Sequence, residues 1–328
     1  MSTQDQVAAH RDTVRRLSEP GGALSMDNPR TTITNPEWFA TPEDPMPSRL
    51  DLHDRLLAEY RASQPNVARE RRAIVLAGPP GAGKSTVLKQ ALGDGVDTYL
   101  RVDPDEFKAK LLRQAVADGS YESTIKPDEI KQLEAGGEKF FPMEMASLVH
   151  DESSLLAKRL RNEAIANGEN LIIDGVLADP DKAAALGQML ARAGYDVEVI
   201  DVEIPYDASA QSIANRWEHD YVAALEGADD LGGRWVPDEY ARDVFDGPDG
   251  KSRPEHSAEN LAHTCPEVSR FRRYRGAAAD QPRNLETDLH RSRPGAPLTP
   301  TPDPRAAKPV TRTRHTSVQP RHTTSRGD

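Results

Sequence analysis

The chain has 328 residues, a formal net charge of −11 and a hydrophobic content of 37%. The acidic balance argues against a nucleic-acid partner for the whole protein. A single cysteine, Cys265, excludes an intramolecular disulfide, leaves no cysteine cluster for zinc and fits a reducing compartment. No apolar run approaches the roughly 18 residues that a membrane span requires, and the first residues lack the apolar core of a signal peptide. We therefore expect a cytoplasmic protein with no membrane partner.

The chain divides into three regions of different composition. Residues 1–44 are polar, and we expect them to form a largely unstructured N-terminal extension. Residues 45–275 carry apolar runs and helical patterns, and we expect them to form one domain. Residues 276–328 are rich in proline, arginine and threonine and poor in apolar residues. Such a segment cannot bury enough surface to offset the entropy of ordering, so we predict a disordered tail.

Strand-like and helix-like patterns alternate through the central region. Short apolar runs, typical of buried parallel strands, are followed by segments with apolar residues at helical spacing. Right-handed helical crossovers between parallel strands explain this order. The predicted strands are 73–77, 97–102, 170–174, 196–204 and 268–274, and the predicted helices are 48–62, 86–92, one beginning at 104, 142–167, 179–193, 207–225 and 237–245.

Residues 78–85 read G-P-P-G-A-G-K-S and match the P-loop pattern G-x-x-x-x-G-K-[ST]. The glycines let backbone N–H groups approach phosphate oxygens, and the following helix N-terminus adds a partial positive charge. Lys84 would reach the β- and γ-phosphates, and the Ser85 hydroxyl would ligate Mg²⁺. The alternative, a chance glycine-rich turn, is disfavoured by the strand before the loop and the helix after it. We predict that ATP and Mg²⁺ bind at Gly78, Pro79, Pro80, Gly81, Ala82, Gly83, Lys84, Ser85 and Thr86.

A second group of candidate residues follows the predicted strand 97–102. Asp103 has the position of a helix N-cap, and Glu106 that of its capping-box partner. Asp105 then lies in the first helical turn, at the carboxyl end of a strand, where open α/β sheets bind ligands. A carboxylate at a helix N-terminus stays ionised and can accept or orient a hydroxyl proton. Asp105 is therefore a candidate catalytic base, with simple stabilisation of the helix dipole as an equal alternative.

Asp174 ends the predicted strand 170–174. This is the setting of a Walker-B acid that ligates Mg²⁺ directly or through water. Asp174 and Ser85 are therefore candidate metal ligands. An ordinary strand-end acid beside Gly175 is the alternative.

Two arginines further along the chain are candidate clamps on a transferring phosphate. Arg216 lies in N-R-W-E-H-D on a predicted helix, and Arg234 lies in the glycine-rich loop G-G-R-W-V-P, which could move as a lid. Taken alone, either arginine is better explained as a surface residue. His150 and His219 lie on polar helices, and we expect both on the surface.

Taken together, these motifs resemble those of the zeta toxin family, P-loop kinases that act on UDP-N-acetylglucosamine. The family pattern D-x-D-x-F-[KR] matches residues 103–108, and its strand-end acid and glycine match residues 174–175. Its R-[YW]-E and R-x-x-P patterns match residues 216–218 and 234–237. The resemblance covers roughly residues 45–245.

The resemblance implies a role for each candidate. It makes Asp105 the base, and it places an acid from the long helix against the nucleotide-sugar, for which Glu152 in H-D-E-S-S is the best match. Two features depart from the family: Val176 replaces a frequent threonine, and the loop between the two arginines is longer. The implied catalytic residues are Asp105, Lys84, Arg216 and Arg234, and the implied substrate contacts are Asp105, Glu152 and Asp174.

We therefore predict an α/β fold of the P-loop kinase type, a three-layer sandwich with a mainly parallel sheet and disordered N- and C-terminal tails. The implied reaction transfers the γ-phosphoryl group of ATP to the 3′-OH of the amino sugar in UDP-N-acetylglucosamine. The family also implies a possible antitoxin protein as partner. Two alternatives stay open: a P-loop kinase for another hydroxylated small molecule, such as an antibiotic or a nucleoside, and a non-catalytic ATP-binding switch.

Overall fold

The computed structural model describes residues 3–301. In this part of the chain, no helix is long and apolar enough to cross a membrane. The α-helices are α1 (Thr3–Leu17), α2 (Pro47–Ala62), α3 (Lys84–Leu92), α4 (Pro104–Asp118), α5 (Asp128–Ala135), α6 (His150–Ala166), α7 (Pro180–Arg192), α8 (Tyr206–Leu225), α9 (Asp238–Asp243) and α10 (Arg253–Thr264). The strands are β1 (Phe39–Thr41), β2 (Asp44–Pro45), β3 (Arg72–Ala77), β4 (Leu100–Val102), β5 (Leu171–Ile173), β6 (Asp196–Glu203), β7 (Val268–Arg275), β8 (Asn284–His290) and β9 (Thr299–Pro300).

A seven-stranded sheet, in the order β4-β5-β3-β6-β7-β8-β9, forms the centre of the described residues. Every pairing from β4 to β7 is parallel, and β8 and β9 add antiparallel pairings at one edge. The predicted mainly parallel sheet is therefore confirmed. Strand β3, which leads into the P-loop, pairs with β5 on one side and β6 on the other. The carboxyl ends of these parallel strands share one edge of the sheet, where α/β proteins bind ligands.

Helices cover both faces of the sheet. Successive side chains of a strand point to opposite faces. In β3, Ala73, Val75 and Ala77 belong to one core, whereas Ile74 and Leu76 belong to the other. Burial on both faces explains why this strand reads as a continuous apolar run. The predicted three-layer arrangement is thus confirmed.

The N-terminal region differs from the predicted unstructured extension. In α1, Val7, Val14 and Leu17 are buried in the larger core. His10 is also buried, and its Nε2 atom lies 3.0 Å from Glu144 Oε1. The buried positions of α1 are few and lie among many polar residues. They follow helical spacing at 7, 10, 14 and 17, but form only a narrow apolar stripe with a histidine in it.

Residues 284–301 differ from the predicted disordered tail. Strand β8 pairs with β7, and an ion pair of 2.7 Å joins Arg270 to Asp288 across the two strands. Arg270 and Asp288 are diagonal neighbours in the register, and long side chains of opposite charge at such positions can stabilise a strand pair without an apolar run. Sequence hydrophobicity therefore does not indicate this strand. The remainder of the predicted tail, residues 302–328, lies outside the described residues.

Candidate active site

The turn between β3 and α3 has the conformation that its glycine pattern predicts. The φ angles of Gly78, Gly81 and Gly83 are 130°, 72° and 88°. Residues other than glycine rarely adopt such positive angles. A Cβ atom on Gly78 would also lie 2.1 Å from the carbonyl oxygen of Val202. Lys84 begins α3, and its Nζ donates to the carbonyl oxygen of Gly78 at 2.9 Å. The lysine therefore folds back over the loop instead of extending into solvent.

A cavity of about 460 Å³ opens beside this loop. Of the predicted nucleotide-binding residues, Gly78, Pro79 and Thr86 lie outside its lining, and Pro80 to Ser85 lie within it. The cavity also brings together candidate residues from β4, β5, α4, α8 and the loop after α8. Its polar lining includes Arg101, Asp103, Asp105, Lys108, Ser147, His150, Asp174, Arg216 and Arg234, and its apolar lining includes Met26, Ala146, Val176, Trp235, Val236, Pro237 and Tyr240.

Asp105 lies in the first turn of α4, as predicted. Asp103 caps this helix, because its carboxylate accepts a hydrogen bond of 2.9 Å from the Asp105 N–H. The two oxygens of Asp105 have separate cationic partners: Oδ2 lies 2.7 Å from Arg234 Nη2, and Oδ1 accepts from Lys108 Nζ at 3.0 Å. Desolvation in the cavity would raise the pKa of Asp105, but the charges of Arg234 and Lys108 outweigh it and lower that pKa below its usual range. Asp105 is therefore held as an oriented anion.

Asp174 follows β5, and it shares a cationic partner with Ser85. Arg101 Nη2 donates to Asp174 Oδ2 at 2.5 Å and to Ser85 Oγ at 3.0 Å. The same nitrogen lies 3.4 Å from Asp103 Oδ2. Among the described residues, no group of three or more His, Cys, Asp or Glu side chains could hold a metal ion. Ser85 and Asp174 supply the oxygen donors that Mg²⁺ prefers, and phosphate oxygens or water would have to complete its coordination.

Arg216 and Arg234 line the same cavity from connected elements. Arg216 lies on α8, and Arg234 lies in the loop that follows this helix. A Cβ atom on Gly233 would lie 2.3 Å from the carbonyl oxygen of Trp217, so the loop packs directly on the helix backbone. The rings of Trp217 and Trp235 also meet edge to face, with 5.9 Å between their centroids. These contacts pack the arginine loop against α8 in this conformation, and its motion as a lid stays a prediction.

The predicted substrate contact of Glu152 does not agree with its position in the structure. Its side chain is fully buried and is absent from the cavity lining. Its carboxylate accepts from Arg49 at 2.6 and 2.8 Å and lies 2.7 Å from His53 Nε2, so it joins α6 to α2. Burial would raise the pKa of Glu152, but hydrogen bonds from His53 and Arg49 lower it to about 2. The carboxylate is therefore committed to an internal ion pair and does not face a substrate.

Other titratable groups in the cavity are also perturbed. Burial, together with the charges of Asp174 and Asp105, raises the pKa of Asp103 to about 7. His150, which was expected on the surface, lines the cavity, and burial together with the Lys108 charge lowers its pKa to about 4. At neutral pH His150 is therefore an uncharged hydrogen-bonding group.

Three further basic residues at the site, Arg101, Lys108 and Arg283, have no role predicted from the sequence. Arg101 lies two residues before the capping acid, a spacing that places strand side chains on one face. Lys108 lies three residues after the candidate base, a spacing at which helical side chains meet. Arg283 donates from Nε to the carbonyl oxygen of Ala82 at 2.7 Å. Arg283 lies in a segment predicted to be disordered, and no local sequence pattern predicts its contact with the P-loop.

The P-loop and the Asp105–Arg234 pair open into one cavity. The class of protein that this arrangement defines is a P-loop phosphotransferase. The zeta toxin family profile matches residues 57–117 and 109–253, which together make up more than half of the chain. The chain belongs to the zeta toxin family. Comparison with curated proteins gives no match.

Two crystal structures of the AvrRxo1-ORF1:AvrRxo1-ORF2 complex contain a chain of similar fold. In the complex with sulphate ions, that chain is 18% identical with a TM-score of 0.50, and the match covers 78% of this chain and 71% of that one. In the complex with ATP, the identity is 18% and the TM-score 0.50, and the match covers 80% and 72%. A chain from the PezAT chromosomal toxin–antitoxin system of Streptococcus pneumoniae is 15% identical with a TM-score of 0.45, and the match covers 75% and 82%.

Proposed function

We propose that this protein is an ATP-dependent kinase that transfers the γ-phosphoryl group of ATP to a hydroxyl group of a small molecule. The observation that carries the proposal is the shared cavity of the P-loop, Asp105 and Arg234. Membership in the zeta toxin family supports the same reaction class. ATP is the nucleotide in one of the crystal structures of similar fold, which supports ATP as the phosphoryl donor.

The P-loop would hold the phosphates of ATP. The N–H groups of Gly81, Gly83, Lys84 and Ser85, at the loop and the N-terminus of α3, are suited to donate hydrogen bonds to phosphate oxygens. Lys84 would neutralise charge on the β- and γ-phosphates. Ser85 and Asp174 would hold Mg²⁺, which supplies further charge neutralisation between these phosphates when it is bound. Both oxygens face one guanidinium nitrogen in the free protein, so their placement suits a shared cation.

Asp105 would act on the acceptor. During transfer, the acceptor oxygen forms a bond to the γ-phosphorus while the bond from that phosphorus to the β–γ bridging oxygen breaks and ADP leaves. Asp105 would accept the hydroxyl proton and return it to solvent. Arg216 and Arg234 would stabilise the negative charge on the transferring group. Arg234 already contacts Asp105, so a γ-phosphate beside the carboxylate gives this arginine a second anion to bind.

UDP-N-acetylglucosamine, phosphorylated on the 3′-OH of its amino sugar, is the acceptor that we propose. Family membership supports this choice. Lys108 adds a positive charge in the cavity that suits a diphosphate, and Trp235 and Tyr240 offer aromatic surface to a base. On this proposal the protein is a toxin, and an antitoxin protein is its expected partner.

A kinase for another hydroxylated molecule, such as a nucleoside or an antibiotic, is the second candidate. Two observations favour it. Glu152, the acid expected to contact the nucleotide-sugar, is held by Arg49 and His53 outside the cavity. Val176 lines the cavity where the family often has threonine, so one hydroxyl contact is missing.

An acceptor panel tests both candidates. Purified protein is incubated with ATP and Mg²⁺ and with UDP-N-acetylglucosamine, nucleosides or aminoglycosides, and ADP and products are measured by mass spectrometry. We expect ADP release that depends on UDP-N-acetylglucosamine and a product that is heavier by one phosphoryl group. Release with a nucleoside or an antibiotic alone would select the second candidate. ATP binding without acceptor-dependent turnover would favour a nucleotide switch, tested by partner binding only in the ATP state.

A further inference from the structure

We infer that Arg101 is an internal cation that holds Ser85 and Asp174 in the free protein and must leave them when Mg²⁺ binds with the nucleotide. The inference rests on the proposed function, because it assumes that these two side chains receive Mg²⁺ together with a nucleoside triphosphate. It makes Arg101 a positioning residue that competes with the metal.

The geometry places one guanidinium among three oxygens. Its Nη2 atom lies 2.5 Å from Asp174 Oδ2, 3.0 Å from Ser85 Oγ and 3.4 Å from Asp103 Oδ2. Its Nε atom also donates to Asp174, at 3.2 Å. A metal ion bound directly by Ser85 Oγ and Asp174 Oδ2 would have to occupy the space that this nitrogen fills. The two cations would also repel each other at such a distance. Arg101 and Mg²⁺ therefore exclude each other.

A cation at this position has a clear physical purpose in the free protein. The side chains of Asp103 and Asp174 are only 16% and 10% exposed, and they lie close to the same nitrogen. Carboxylates that face each other with little solvent are unfavourable unless a positive charge lies between them. Arg101 supplies that charge before any metal is present. It also keeps the Ser85 hydroxyl and the Asp174 carboxylate directed toward a common point.

Arg101 can leave without disturbing the sheet. Its strand, β4, stands first in the strand order of the described sheet, and its side chain is 32% exposed, so the guanidinium has a route to solvent. Its backbone is fixed separately: its N–H donates to Gln64 Oε1, and its carbonyl oxygen accepts from the Tyr60 hydroxyl, each at 2.9 Å. Rotation of the side chain therefore exchanges one cation for another while the strand keeps its place.

The competition weakens the coupling between Mg²⁺ and the nucleotide. We would measure the dissociation constant of the non-hydrolysable analogue AMP-PNP by calorimetry, once with Mg²⁺ and once with EDTA. The constant with EDTA divided by the constant with Mg²⁺ gives the strength of that coupling. The Arg101→Met variant should show a ratio about tenfold larger than the wild type, as expected if the site is free of the guanidinium about one tenth of the time. Arg101→Lys keeps the positive charge but loses the planar guanidinium, so its ratio should lie between those of the wild type and Arg101→Met. The control is Arg159→Met, because Arg159 is similarly exposed and pairs with Asp54 at 2.6 Å on other helices.

The outcomes separate the inference from the proposed function. If the wild type binds AMP-PNP and all variants share its ratio, Arg101 does not compete with Mg²⁺ and the inference is overturned. An equal loss of affinity with Mg²⁺ and with EDTA would instead make Arg101 a phosphate contact and would also overturn it. If the wild type binds no AMP-PNP under either condition, the proposed function itself fails. A crystal structure with Mg²⁺ and AMP-PNP is a second test. In that structure, Arg101 must no longer contact Ser85 and Asp174.

Discussion

Arg234 Nη2 lies 2.7 Å from Asp105 Oδ2, and this contact joins the loop after α8 to the first turn of α4. Lys108 occupies the other carboxylate oxygen, so Asp105 has no freedom to turn away from the cavity. The same charges that lower the pKa of Asp105 also fix its direction. Its use in catalysis would then depend on position more than on basicity, because a weak base still accepts a proton as the attacking oxygen loses it.

Replacing Asp105 with asparagine should remove the base while the shape of the site is kept. We expect turnover to fall by about two to four orders of magnitude, the usual contribution of a positioned base, and AMP-PNP binding to change little. Steady-state kinetics and calorimetry measure the two effects. Asp118→Asn, at the exposed end of the same helix, is the control. Near-normal turnover of Asp105→Asn would reduce Asp105 to a charge that stabilises the start of α4.

Arg234→Ala should slow transfer much more than it weakens binding. An arginine that stabilises the charge of a transferring phosphoryl group contributes about 10³- to 10⁵-fold to turnover in related chemistry. Arg253→Ala is the control, since Arg253 forms an exposed ion pair of 2.8 Å with Asp243. Unchanged turnover in Arg234→Ala would contradict this role and would also show that transfer does not need the contact between Arg234 and Asp105.

Gly233→Ala tests whether the packing of the arginine loop on α8 matters. The new Cβ atom would lie 2.3 Å from the Trp217 carbonyl oxygen, so the loop must shift and move Arg234 with it. We expect turnover to fall at least about tenfold, since small misplacements of positioning groups have effects of this size. Gly95→Ala is the matched control, because nothing lies within 4 Å of its added Cβ. Equal turnover of the two variants would show that a shift of the arginine loop does not affect transfer.

Glu152→Gln should destabilise the protein without acting on the cavity. The pKa of Glu152 is about 2 in the folded protein against an ordinary value of 4.5, which corresponds to roughly 3 kcal/mol of stabilisation at pH 7. Because the folded-state pKa is the lower one, this stabilisation is complete above about pH 4.5 and is lost as the pH falls toward 2. The difference in urea unfolding between wild type and variant should thus be constant from pH 7 to about pH 5, and it should shrink steadily as the pH falls from 4.5 toward 2.

The control for this prediction is Glu59→Gln on α2. Glu59 is 54% exposed and lies 4.0 Å from Arg55, and exposed pairs of this kind contribute little to stability. A difference between Glu152→Gln and wild type that stays constant from pH 7 to pH 3 would contradict the assignment of the low pKa to Glu152.

The parts of the site that the sequence predicts are those set by neighbours along the chain. Gly78, Gly81 and Gly83 match a motif because their backbone angles are a local requirement, and Asp103 is recognisable as a cap for the same reason. The position of Asp105 then follows from the helix that Asp103 begins. Local geometry of this kind leaves a pattern within ten residues, which a single sequence displays.

The parts that the sequence does not predict depend on partners that are distant along the chain. Glu152 binds Arg49 and His53, which lie 103 and 99 residues away, so its pairing leaves no local pattern. Strand β8 is joined to β7 by a diagonal ion pair between Arg270 and Asp288 and has no apolar run. Arg283 contacts Ala82 across 201 residues. In each case a tertiary contact between polar groups stabilises the structure, and sequence hydrophobicity carries no sign of it.

The contact between Arg283 and Ala82 has a consequence for synthesis on the ribosome. Strand β3 emerges early, but its partner β5 follows about a hundred residues later, and β6 follows later still. Arg283, which contacts the phosphate loop, is made 201 residues after Ala82. At about 5–20 residues per second, roughly 10 to 40 seconds separate the two residues. A nascent chain that ends before residue 283 thus lacks the contact between Arg283 and the phosphate loop.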